Sequence, residues 1–237
     1  MNERCHTRVF GVMQPRSKRV GIIALAVVAF LSGCAPTDPS PVEESLTPSP
    51  MPSPTLDSPA DELTATGDPL PAGTYTRGAF TPAITFDLDG SWQAVQLFDG
   101  FFDVQQDIGS PDVMAVQFAR PSGVYGAGVT SEVPNSPEHA VELLGANSGL
   151  TVLESSESRI GGHTGSQVTV ENAGNGHARV MQVPVGALGI DPGRRLWIAF
   201  FDAPDGLLAI MVGGSDARWE ETLAAAEPVL ESIRIGK

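Results

Sequence analysis

Lysine is almost missing from this chain of 237 residues: Lys18 and Lys237 are its two lysines, and the fourteen basic residues in all face twenty-eight acidic ones. A formal charge of −14 argues against a nucleic-acid partner and against lying flat on an anionic membrane. Cysteine is equally scarce, with Cys5 and Cys34 alone, so a domain built beyond residue 34 has no disulfide and no thiolate metal site available to it. The chain also lacks a Gly-x-Ser-x-Gly elbow, a phosphate-binding glycine loop and a helical pair of histidines, which leaves the common hydrolase, nucleotide and zinc signatures without support. No cofactor is implied.

Long apolar runs are missing too. The longest, Val20 to Leu31, is broken by Gly21 and at 1.5 Å per residue reaches only about 18 Å, short of a hydrocarbon core of about 30 Å. It follows Arg16, Lys18 and Arg19, the arrangement of an export signal. Leu31, Ser32, Gly33 and Cys34 then match, position for position, the lipobox that the sequence resembles, that of bacterial lipoproteins. The resemblance implies cleavage before Cys34 and acylation of its thiol, with a membrane partner reached through the lipid; two or more acyl chains make such an anchor stable. Met13 opens a conventional basic n-region, so residues 1–33 read as the signal with Met13 as the expected start. No arginine pair precedes the apolar run, and twin-arginine export is not supported. Loss of residues 1–33 removes five basic and one acidic residue and leaves 9 − 27 = −18.

Residues 34–73 read as a tether. Between Ala35 and Ala72 lie ten of the twenty prolines and seven acidic residues, with no lysine or arginine. Such a segment has too little apolar surface to fold by itself, and its prolines favour an extended spacer. Pro48 to Pro54 has no flanking arginine, which favours spacer over a ligand for a proline-binding module.

The remaining 164 residues, 74–237, suit one domain and one core. Ile84, Phe86 and Leu88 alternate, Asp89-Gly90 and Asp99-Gly100 mark turns, and Trp92 to Phe98 and Phe101 to Gln105 follow, so an antiparallel meander is expected. Val113 to Ala119 adds another strand. Ser136, Pro137 and Glu138 form a well-marked helix start, and Gly145 or Asn147 to Gly149 ends it. Strands are then expected over 150–160, 164–171, 177–183, 196–201 and 207–212, the last two central because both are apolar. A closing helix begins at Ser215 or Asp216 with Trp219, Leu223 and Ala226 on one face, and Pro228 is expected to kink or end it. The fold class is therefore α+β: a largely antiparallel sheet flanked by about two helices.

This order, with the Trp92 strand, the Ser136-Pro137-Glu138 helix start, the run Ile160-Gly161-Gly162-His163-Thr164-Gly165 and the Asp205-Gly206 hairpin before the last helix, resembles the PsbP-like sandwich of photosystem accessory proteins and of actinobacterial lipoproteins of the LpqN type. The shortage of lysine beside abundant arginine, alanine and glycine is also similar to high-GC actinobacterial composition. The resemblance implies binding of a partner or ligand and carries over no site residue.

Among individual residues, His6 leaves with the signal, and His139, His163 and His177 read as solvated side chains sooner than as bases or ligands. Asp87-Leu88-Asp89-Gly90 lacks the distal glutamate of a calcium loop and reads as a turn. Pro184 to Arg195 shows no regular period. Its Val185, Leu188 and Ile190 either tuck under as a lid, with Arg194 and Arg195 paired to acids, or form an exposed lip whose arginines grip an anionic partner. Two functions follow: an envelope module that binds a protein, glycan or small ligand, or a hydrolase assembled from scattered Asp, Glu and His.

Overall fold

A computed structural model describes residues 60–64 and 67–236; the expected signal, lipobox and most of the tether lie outside the described residues. The strands are β1 (Asp61–Glu62), β2 (Gly73–Arg77), β3 (Ile84–Leu88), β4 (Gln93–Phe98), β5 (Phe101–Gln106), β6 (Met114–Ala119), β7 (Gly123–Tyr125) and β8 (Ser131–Glu132). Helix α1 (Pro137–Ala146) leads to β9 (Leu150–Ile160), β10 (His163–Asn172), β11 (Ala178–Val183), β12 (Gly186–Ile190), β13 (Arg194–Ala203) and β14 (Gly206–Ser215). A 3-10 turn at Asp216–Arg218, α2 (Trp219–Ser232) and β15 (Arg234–Ile235) close the chain.

The frame is a seven-stranded antiparallel sheet in the order β4-β5-β6-β14-β13-β10-β9, so the two apolar strands β14 and β13 are central as the sequence predicts. Alternation of side chains along these strands divides the core in two. One face packs Phe102, Phe118, Phe201 and Ile210 against the small sheet β1-β2-β3-β15 and α2; the other packs Phe101, Ile198, Phe200 and Met211 against the sheet β12-β11-β7-β8 and α1. Aromatic stacking holds the first: the rings of Phe102 and Phe118 lie 4.4 Å apart at 11°, and Phe80 meets Phe102 edge-on at 5.0 Å. Such pairs contribute about 0.5–1.5 kcal/mol each beyond area burial. The α+β architecture is the expected one.

Three details differ from the sequence reading. The domain starts before residue 74: Leu63 and Leu70 are buried in the core, Leu63 N–H donates to Thr76 O at 2.7 Å, and Glu62 pairs with Arg77 at 3.2 Å. Two leucines in a polar, proline-rich stretch carry no period, yet each buried leucine contributes about 1.5–3 kcal/mol, enough to hold a strand. The expected meander is also divided, because β3 and β4 belong to different sheets. Asp89 accepts from Ser91 N–H at 3.0 Å and the Ser91 hydroxyl at 2.6 Å, making Asp89-Gly90 a corner between layers. Finally, α2 runs through Pro228 to Ser232. Pro228 frees the carbonyl four residues back, that of Ala224, and both residues are exposed, on the side of the helix where a lost bond costs least.

Helix α1 begins as read. Ser136 Oγ accepts from His139 N–H at 3.1 Å and Pro137 takes the first position. Its end is tied to the neighbouring strands by Asn147, whose Nδ2 donates to Tyr125 O at 3.0 Å and Arg179 O at 2.8 Å. Gly161 and Gly162 join β9 to β10 with φ of 57° and 82°, the two positive values that a tight type I′ hairpin requires.

Candidate functional site

The residues proposed as a lip do not come together. Gly186 to Ile190 forms β12, a strand paired with β11, where Ile190 is buried, Leu188 is half-buried against the core and Val185 is 47% exposed at the turn. Its glycines and short length hid this strand from periodicity. Arg194 and Arg195 open β13, and successive residues of a strand face opposite sides. Arg194 donates to the carbonyls of Pro111 at 3.3 Å and Val113 at 2.5 Å, while Arg195 pairs with Asp216 at 2.5 Å and Glu171 at 3.7 Å. Of the two expected pairings with acids, Arg195 makes one and Arg194 does not, and of the apolar residues Ile190 is buried while Val185 is exposed.

The histidines also lie with separate partners. His139 faces Glu132 at 3.6 Å, His177 Nδ1 faces Asp191 at 2.9 Å, and His163 is exposed at the start of β10. Among the described residues no group of three His, Cys, Asp or Glu is placed to hold a metal ion. Among the described residues the buried carboxylate is Asp103. Its carboxylate closes a bulge in β4, accepting from Gln96 N–H at 2.8 Å and Gln105 Nε2 at 2.6 Å, and burial pushes its pKa up against the downward pull of these bonds and of Gln117. Asp103 lines neither of the concavities described below, and its carboxylate serves the backbone.

The sequence reading missed a groove beside α2. The groove holds about 760 Å³ between α2 and strands β13, β10 and β9, within the usual range of ligand sites. The sheet supplies its floor through Trp197 and Arg195 of β13 and Gln167 and Thr169 of β10. These residues are two apart on each strand, so they share the face opposite α1. Gln167 Nε2 is held by Ser156 Oγ of β9 at 2.9 Å. Helix α2 supplies the wall. Glu220, Leu223, Ala224, Glu227, Leu230 and Glu231 recur every three to four residues along one stripe.

Edge strand β9 shapes the rim. A bulge opposite Thr169 and Val170 leaves Leu153 unpaired, and both Leu153 and its neighbour Glu154 line the groove; bulges re-aim side chains in this way. Trp197 and Leu230 continue into an adjoining pocket of about 230 Å³ beside Glu157 and Arg159. Among the described residues the Trp197 indole N–H has no hydrogen-bond partner. The helical spacing of Glu220, Glu227 and Glu231 was readable; which strands faced it was not.

No protein-family model matches the sequence, and no curated protein does. Among solved structures, the chain is similar to cyanobacterial PsbP from Synechocystis, with 11% identity, a TM-score of 0.40, and coverage of 73% of this chain and 97% of the other. It is also similar to LpqN of Mycobacterium tuberculosis, described as involved in cell envelope biogenesis, with 11% identity, a TM-score of 0.38, and coverage of 72% and 90%. Likenesses at this level define no ligand and no activity.

Proposed function

We propose that this chain is a lipid-anchored binding module of the cell envelope, with the groove between α2 and strands β9, β10 and β13 as its ligand site. Cys34 takes the lipid, the segment from Ala35 toward Ala60 spaces the domain from the membrane, and the groove faces the extracytoplasmic medium. Support for the anchor comes from the basic patch, apolar run and Leu31-Ser32-Gly33-Cys34. The observation that carries the binding reading is Trp197: a half-buried indole set in the floor of a cavity of about 760 Å³. An aromatic floor with a polar rim is how small-molecule sites gain affinity and orientation.

Hydrogen exchange measured on the full-length protein in phosphatidylcholine vesicles tests the reading, with a set of small amines, oligosaccharides and carboxylic acids as probes. Protection is expected in peptides from β9, β10 and α2, and it is lost in Trp197→Ala. Protection confined to other surfaces overturns the assignment of the groove.

A further inference from the structure

The groove's charge specifies its occupant, an inference that rests on reading the groove as the ligand site. Four glutamates stand around it, Glu154 on β9 and Glu220, Glu227 and Glu231 on α2. All four are exposed, and none forms a hydrogen bond or ion pair among the described residues. Arg195 is the cation in the lining, and its guanidinium is already held by Asp216 and Glu171. The lining therefore presents unpaired carboxylates beside the apolar surfaces of Trp197, Leu223 and Leu230.

That combination discriminates among ligand classes. An anion meets four negative charges in the groove, where the one guanidinium is already shared by two carboxylates, and the exposed Arg159 lies outside it in the adjoining pocket. A neutral sugar stacks on Trp197 and can donate hydroxyls to the carboxylates, but it leaves four negative charges uncompensated. A cation with an alkyl stem satisfies every element: methylenes lie on the leucines, one ammonium sits over the indole face, and others meet the carboxylates. The helix spreads those carboxylates out. Glu220, Glu227 and Glu231 are seven and four residues apart, or about 10 and 6 Å along the axis, so a single point charge reaches only part of the set. We propose that the groove binds a linear organic polycation of the polyamine class, extended along α2.

The test is titration of the full-length protein in phosphatidylcholine vesicles with spermine, read by tryptophan fluorescence. Saturable binding is expected, weakening as salt rises. The triple variant Glu220→Gln, Glu227→Gln, Glu231→Gln is expected to weaken it about 30-fold, taking roughly a factor of three for each exposed pair. Glu227→Gln alone, a variant less open to misfolding, is expected to weaken it about threefold. A control with the same charge change elsewhere, Glu142→Gln, Asp202→Asn, Asp205→Asn, is expected to bind within about threefold of wild type, since distant exposed charges are screened.

Equal weakening by both triples overturns the proposal by reducing it to general attraction to an acidic protein. A response to maltotriose that is lost in Trp197→Ala, with none to spermine, keeps the groove as a site but overturns its cationic specificity. Silence toward both probes overturns the proposal and counts against the groove as a site.

Discussion

Gly214 of β14 lies directly beneath Thr222 of α2, so close that a Cβ at position 214 would stand 2.4 Å from Thr222 Oγ1. That contact sets how near the helix lies to the sheet, and thereby the width of the groove on the helix's other flank. Gly214→Ala must push α2 outward. Overpacking of this kind costs about 1–3 kcal/mol, so a lowered melting midpoint is expected, together with faster hydrogen exchange in α2. An unchanged midpoint would mean that the helix is not seated on β14 as described.

Arg195 holds the end of β13 to Asp216 at the start of the last helical segment. Arg195→Glu places a third carboxylate beside Asp216 and Glu171, and a loss of about 1 kcal/mol or more is expected from removing one charge and adding repulsion. Arg194→Glu forfeits donors to the Pro111 and Val113 carbonyls without entering the groove. Denaturant midpoints of the two variants check this, with ligand response altered only in the first.

Asp103 supplies a pH signature. Burial raises its pKa in the folded state, so the folded protein holds this proton more tightly than the unfolded chain. The associated stability is present below the ordinary carboxylate pKa of about 3.9 and is lost as pH rises through the higher folded value. Asp103→Asn removes that dependence. Denaturation from about pH 4 to about pH 8 is expected to show the wild type losing ground to the variant as pH rises; parallel curves would contradict the buried carboxylate.

Much of this architecture was legible in local chemistry. The cap Ser136, the Gly161-Gly162 turn and the apolar runs of β13 and β14 act within a few residues, so their pattern survives in the chain. The rest depends on neighbours that local pattern does not name. Leu63 and Leu70 look like tether until a sheet covers them, and Asp89-Gly90 has the same residues whether it turns a hairpin or a corner between layers. The groove was hardest to see: Trp197 sits in an otherwise core-like strand, and the glutamates of α2 read as a solvated face. Its rim includes Leu153, which a bulge leaves unpaired on the edge strand opposite that helix.

Lipidation at Cys34 is tested by growth with a labelled fatty acid. Cys34→Ala is expected to lose the label and accumulate as uncut precursor, and a chain opening at Met13 is expected to be labelled as well as the full one. Label retained on Cys34→Ala would remove the anchor from the account.

The central claim is that the face between α2 and β13 receives a ligand, and fluorescence of Trp197 tests it most directly because that indole forms the floor. With Trp92 and Trp219 each replaced by Phe, spermine is expected to shift the remaining Trp197 emission along a saturable curve that collapses when Glu220, Glu227 and Glu231 become Gln. If the variant is folded, emission that stays fixed across the titration with spermine and with maltotriose would contradict the claim.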